Sequence, residues 1–115
     1  MRASQAVMPQ FLKQGSGNII HIASISGLKA SVRTPPYGAV KAAIMEYAQT
    51  QALTHAAHHI RVNCIAPGLI RTAFAKALTD DPVKAGMVEN ETPLRRIGEP
   101  DDIGGIAVLL ASAAG

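Results

Sequence analysis

Near the start of the chain, Ala6, Val7, Phe11 and Leu12 recur at helix-compatible spacing, and Gly15-Ser16-Gly17 ends the pattern. Asn18-Ile19-Ile20-His21-Ile22-Ala23-Ser24 follows, a short run rich in β-branched residues and apolar on both faces except at His21. Such a run suits a parallel strand covered by helices on both sides. A loop bearing Ser, Gly and Pro extends through Pro35-Pro36. From about Tyr37 to His59 there is no Pro, only Gly38 near the beginning, and abundant Ala. This predicts a long helix, apolar over most of its circumference and therefore largely buried. A second strand is predicted from Arg61 to Ala66, ending at Pro67-Gly68.

Strand, helix of roughly twenty residues and strand make one βαβ unit, whose crossover is right-handed almost without exception. Beyond it, Thr72 to about Glu91 is a polar, partly helical excursion with Asp81-Pro82 inside it. A last helix begins near Pro100-Asp101-Asp102, where a first-turn Pro and acids at the positive helix end favour a start. It continues through Ile103, Ile106, Leu109 and Leu110. No internal repeat or low-complexity linker interrupts the chain. Two parallel strands leave both sheet edges open and give the helices too little sheet to cover. The expectation is therefore α/β, with residues 1–115 forming a single partial domain: part of a doubly wound parallel sheet, one βαβ unit plus flanking helices, truncated at both ends.

Composition narrows the classes. The chain has 115 residues, 48% of them apolar and 17% charged, which suits a globular core. Aromatics are only 3% and Trp is absent, so Ala, Ile, Leu, Val and Met must build that core. The net charge of +3 does not point to nucleic acid. The basic residues are scattered, the longest run is Arg95-Arg96, and few aromatics could stack on bases. The single Cys64 excludes an intrachain disulfide; within Val62-Asn63-Cys64-Ile65-Ala66 it reads as a small core side chain. No stretch approaches a membrane span, and Met1-Arg2-Ala3-Ser4-Gln5 is too polar for a signal peptide, so a cytoplasmic location is expected.

Tyr37 and Lys41 stand four apart at the start of the long helix, so both project from one face. A free phenol is a poor base near neutrality, and a nearby ammonium favours the phenolate, making it a competent acid or base. The spacing alone also describes a surface pair with a snorkelling Lys stem. Ser24 supplies context: it stands at the carboxyl end of the first strand, thirteen residues before Tyr37. Ligands of open α/β sheets collect just outside strand carboxyl ends. The second strand ends in Pro67-Gly68 with Ile70 and Thr72 beyond. One rim thus carries a hydroxyl, a phenol–ammonium pair and a bare-backbone loop.

Ser24, then Tyr37-Gly38-Ala39-Val40-Lys41, then Asn63-Cys64-Ile65-Ala66-Pro67-Gly68 with Thr72, resembles the short-chain dehydrogenase/reductase family in order and spacing. Pro93-Leu94-Arg95-Arg96-Ile97-Gly98-Glu99-Pro100-Asp101-Asp102-Ile103 resembles that family's approach to its last major helix. The likeness covers essentially the whole chain and is nearest to the group around 3-oxoacyl-carrier-protein reductases and sugar dehydrogenases. It implies a Rossmann-like fold, NAD or NADP as cofactor, and a small-molecule alcohol or carbonyl substrate. It further implies that Tyr37 exchanges the proton with the substrate oxygen and Ser24 holds that oxygen. Lys41 tunes Tyr37 and binds the nicotinamide ribose; Pro67, Gly68, Ile70 and Thr72 position the nicotinamide. A homo-oligomer paired through the two long helices is implied as well. The family's glycine-rich phosphate loop has no match here, since Gly15-Ser16-Gly17 follows a helix and precedes a strand. The supporting catalytic Asn would fall before Met1. The 115 residues by themselves are therefore expected to be an inactive fragment; the alternative is a non-catalytic association module or pseudoenzyme that keeps the helical interface.

Other polar residues carry plainer readings. His55 and His59 share a helix face with His58 nearby, but no carboxylate or Cys stands close in sequence to complete a metal site. The three are expected in the last turn of the long helix, where positive charge complements the helix end. His21 reads as a hydrogen-bonded structural residue, and Arg95-Arg96 as salt-bridging surface rather than a phosphate contact. Met45 and Met87 read as packing residues.

Overall fold

The computed structural model describes residues 1–29 and 35–115. Helix α1 spans Arg2–Gln14 and ends on Gly15, whose left-handed backbone (φ 69°) suits glycine at a helix terminus. Strand β1 spans Gly17–Ile22, helix α2 Pro35–His55 and strand β2 Ile60–Ile65. The strands pair in parallel with Gly17 opposite Ile60 and Ile22 opposite Ile65, so α2 is the crossover of the expected βαβ unit. Helices α3 (Lys76–Thr79), α4 (Pro82–Glu91) and α5 (Asp101–Ala111) follow. Asp81 caps α4 by accepting from the amides of Val83 and Lys84, with Pro82 in the first turn. The Asp-Pro pair inside the polar excursion is thus a helix start.

The period-2 alternation of the strands sorts the two sheet faces. Ile60 and Val62, with Ile19 and Cys64 beside them, pack under Met8 and Phe11 of α1 and Ala48 and Ala52 of α2. On the opposite face, Asn18 and its register partner Arg61 meet α5: Asn18 Nδ2 and Arg61 Nη1 both donate to the Leu110 carbonyl, at 2.6 and 3.1 Å, and Arg61 Nη2 to Ser112 O at 2.8 Å. Three side-chain donors thus satisfy carbonyls that the end of α5 leaves open. His21 bonds through Nε2 to Gln51 Oε1 at 2.9 Å and meets the Tyr47 ring edge-on, the structural role expected of it.

Met87, expected to pack, is exposed on α4, and three expectations for α2 change. Helix α2 starts at Pro35, two residues early, as proline tolerates in a first turn. It ends at His55; His58 lies in a short 3-10 turn and His59 is left-handed (φ 56°), so neither belongs to the helix. Among its described residues only Ala48 and Gln51 are buried, while Val40 and Leu53 are exposed. An all-round apolar helix needs sheet on one side and neighbours on the other, and two strands cover only one stripe of it. The loop before α2 falls partly outside the described residues, at 30–34.

Candidate active site

The carboxyl ends of the strands stay laced together beyond the ladder. The Ala23 amide donates to Ile65 O at 2.8 Å and the Ile25 amide to Pro67 O at 3.0 Å. Ser24, between them, is buried and extended (φ −169°, ψ 152°), and it caps a 3-10 turn over Ile25–Gly27. Its Oγ accepts from the Ser26 amide at 3.2 Å, an arrangement that leaves the hydroxyl proton available for donation.

That 3-10 turn sits hard against the start of α2, and two glycines permit it. A Cβ on Gly38 would stand 2.7 Å from the Ser26 carbonyl oxygen. One on Gly27 would stand 2.7 Å from the Ala42 nitrogen and 2.8 Å from the Lys41 carbonyl carbon. Close backbone approach therefore seats the turn that Ser24 caps against the part of α2 that carries Gly38 and Lys41. Lys41 Nζ donates to Ile22 O at 2.9 Å, which uses one of its three protons and fixes the ammonium at the end of β1. The same nitrogen stands 5.5 Å from the centroid of the Tyr37 ring, within cation–π range. Tyr37 remains about one-third exposed.

The loop after β2 completes the rim. Pro67 is held through its carbonyl by Ile25, and a Cβ on Gly68 would stand an ordinary 3.7 Å from Ile25 Cδ1. Ile70 forms an isolated parallel bridge with Gly98. Thr72 caps a 3-10 turn over Ala73–Ala75, its Oγ1 accepting from the Ala75 amide at 3.3 Å. That turn puts Phe74 over Tyr37, with ring centroids 6.4 Å apart and planes at 27°. Phe74 was not singled out from the sequence; an aromatic two residues past Thr72 in an otherwise polar stretch was the available signal. Cys64 lies on β2 below this rim, and burial pushes its thiol up, against smaller opposing effects of the Ala23 amide and Lys41. A raised thiol is a poor nucleophile, in keeping with a packing role.

Of the residues set aside, Arg96 is engaged in a bidentate pair with Asp102, and Arg95 donates to Asn90 O. His55 lines a groove of about 410 Å³ between α1 and α2. Among the described residues no group of three or more His, Cys, Asp or Glu could hold a metal ion, and no helix is long and apolar enough to cross a membrane.

One end of the parallel βαβ unit thus carries a Ser at one strand end, a Tyr–Lys pair at the head of the crossover helix and a capped loop at the other strand end. The family model described as enoyl-(acyl carrier protein) reductase matches residues 1–115. The chain belongs to the short-chain dehydrogenase/reductase family. It is 38% identical over 109 residues to rabbit (Oryctolagus cuniculus) dehydrogenase/reductase SDR family member 4, covering 95% of this chain and 42% of that protein. It is 41% identical over 112 residues to 2-dehydro-3-deoxy-D-gluconate 5-dehydrogenase of Dickeya dadantii, covering 96% and 44%. The structure matches a gluconate 5-dehydrogenase of Burkholderia cenocepacia, solved with NADP and tartrate, at TM-score 0.93 and 34% identity over 96% of this chain and 44% of that one. It also matches a 4-hydroxyisoleucine dehydrogenase complexed with NADH, at TM-score 0.88 and 30% identity, covering 96% and 46%. The elements described above are thus part of a Rossmann-like doubly wound fold, and the chain spans about two-fifths of the length of the curated relatives it matches.

Proposed function

We propose that this chain carries the proton-transfer half of an NAD(P)-dependent alcohol/carbonyl oxidoreductase, with Tyr37 as acid/base, Ser24 as oxygen-holding donor and Lys41 as the bridge to the cofactor. The observation that supports it most is the seating, by Gly27 and Gly38, of the turn that Ser24 caps against the head of α2, with Lys41 Nζ pinned to Ile22 O beside the Tyr37 ring. In the carbonyl-reducing direction the Tyr37 hydroxyl gives its proton to the substrate oxygen, while the Ser24 hydroxyl donates a hydrogen bond to it. The reverse direction returns the proton to Tyr37.

The residues present fit one end of a nicotinamide dinucleotide. Lys41 keeps two ammonium protons after serving Ile22 O, enough to bond a pair of ribose hydroxyls. Pro67, Gly68, Ile70 and Thr72 offer a rim of backbone and small side chains on which a flat ring can lie. The start of α5 offers the phosphates no seat: it begins with Asp101 and Asp102, and acids at a helix start repel an anion. When bound, the cofactor supplies or accepts the hydride. The relatives were solved with NADP and with NADH, so either dinucleotide is admitted, and hydroxy acids of the gluconate kind are the first substrates to assay.

Association through α1 and α2 belongs to the same reading. They expose Val7, Leu12 and Leu53, the last 84% exposed, and Leu12 lines the groove between them. An isologous contact would bury this patch twice.

Steady-state turnover of a full-length protein carrying this chain tests the assignment. Tyr37→Phe removes one oxygen and should abolish turnover with the fold intact. Ser24→Ala should lower the rate by about 10²-fold or more. Wild-type turnover in Tyr37→Phe rules the assignment out.

A further inference from the structure

The loop proposed to face the nicotinamide is gripped from two sides. From the strand side, the Ile25 amide holds Pro67 O. From the other, a segment almost thirty residues away grips Leu69, Ile70 and Arg71. The Gly98 amide donates to Leu69 O at 3.0 Å and the Arg71 amide to Gly98 O at 2.8 Å, while Arg71 Nε meets Glu99 Oε1 at 3.0 Å. The approach is close: a Cβ on Gly98 would lie 2.5 Å from Ile70 Cδ1, so a side chain there would push the end of the Ile70 side chain aside.

What fixes that segment is a compact knot at the start of α5. Arg96 Nη1 and Nη2 donate to Asp102 Oδ2 and Oδ1 at 2.6 and 2.7 Å. The Glu99 amide donates to Asp102 Oδ2 at 2.7 Å, and the Asp102 amide to Glu99 O at 3.0 Å. Asp102 therefore ties both ends of the stretch Arg96–Glu99 to one carboxylate, with Ile97 buried between them. Both partners are substantially exposed, at 50% and 37% of their side chains. Exposed ion pairs contribute little to global stability. A fork-on-carboxylate pair does fix geometry, and here the fixed geometry is that of the residues holding the cofactor loop.

We propose that Arg96 and Asp102 are positioning residues: by locking the segment Arg96–Glu99 they hold Leu69–Arg71, and with them the Pro67–Thr72 loop, in register for the nicotinamide. The proposal rests on the assignment of that loop to the cofactor. Neither residue touches the reacting atoms; both act through Gly98 and Glu99.

The test uses a full-length protein carrying this chain, with Arg96→Ala, Arg96→Lys, Asp102→Asn and Gly98→Ala compared with wild type. Arg96→Lys keeps the charge and loses the fork; Asp102→Asn keeps an acceptor for Glu99 and loses the charge. Gly98→Ala leaves the knot alone and pushes only the end of the Ile70 side chain aside. Arg96→Ala should weaken NADH or NADPH binding and lower kcat together, by about 10-fold and up to about 10²-fold, because misplacing a reactant by an ångström costs on that scale. Arg96→Lys should recover part of the loss and Gly98→Ala cause a smaller one, all with melting temperatures near wild type. Hydrogen exchange gives a readout that needs no turnover: the Arg71 and Gly98 amides should lose protection in Arg96→Ala while the β1–β2 ladder amides keep theirs. Wild-type cofactor affinity and wild-type protection of Arg71 in both Arg96 variants overturn the proposal. Tyr37→Phe, run in parallel, separates the failures, since an active Tyr37→Phe sinks the site assignment and leaves the exchange result standing.

Discussion

Gly27→Ala probes the contact on which the site depends. The added methyl would enter space held by the Met45 methyl and by the backbone of Lys41 and Ala42, at 2.7 Å from the Ala42 nitrogen and 2.8 Å from the Lys41 carbonyl carbon. The Met45 side chain can swing aside; the two backbone atoms move only if α2 moves. Restoring ordinary contact near 3.4 Å requires the helix head to retreat by roughly 0.6–0.7 Å. Overpacking of that kind costs about 1–3 kcal/mol of stability. The displacement also falls on the turn that carries Lys41, whose bond to Ile22 O is 2.9 Å, and shifts it relative to Ser24. A shift of most of an ångström should lower kcat/KM by about 10-fold to 10²-fold. The assay is steady-state kinetics beside thermal unfolding. Gly27→Ser should fare no better, since its Cβ meets the same atoms. Wild-type kcat/KM with an unchanged melting temperature in Gly27→Ala would refute the view that this approach seats the site.

Three further outcomes are expected. Ile60 is 2% exposed at the centre of the α1–α2–β2 cluster, so Ile60→Ala should cost about 2–5 kcal/mol by chemical denaturation; a change under about 1 kcal/mol would mean the cluster is not the core. The Arg96 guanidinium, and then the Glu99 amide, hold the Asp102 carboxyl well below the usual carboxylate range. Its pairing should therefore persist as pH falls through about 3.9, the unfolded value, and be lost only below it, with Arg96→Ala returning the carboxyl resonance midpoint upward; a wild-type midpoint at or above about 3.9 contradicts this. Light scattering should show at least a dimer of the full-length protein at micromolar concentration, and Leu53→Glu should weaken it, whereas a monomer in wild type counts against the α1–α2 interface.

The parts of the fold carried by local pattern were legible in the sequence. The β-branched runs became β1 and β2 to within two residues, and the Ala-rich stretch without internal breakers became α2. Its burial was misjudged, because apolarity says what a helix can cover and not how many strands are present to be covered. The positions of Ser24, Tyr37 and Lys41 followed from strand ends and helix spacing, and the resemblance to a family supplied the roles now proposed for them. Phe74 over Tyr37 and the Gly98–Ile70 bridge were not legible. They join segments roughly thirty to forty residues apart through a few local contacts, which leave no periodicity behind. Gly27 and Gly38 look like ordinary loop and helix-start glycines until the backbone they approach is in place. His58 and His59 were assigned to α2 because nothing in their residue types marks the left-handed turn at His59.

The most direct test of the site assignment is a structure of a full-length protein carrying this chain, with NAD(P) and an alcohol product bound. The substrate oxygen should lie within about 3.2 Å of both Tyr37 Oη and Ser24 Oγ, with Lys41 Nζ on the nicotinamide ribose hydroxyls. A nicotinamide and substrate bound away from Ser24 and Tyr37, with Lys41 contacting only Ile22 O, would contradict it.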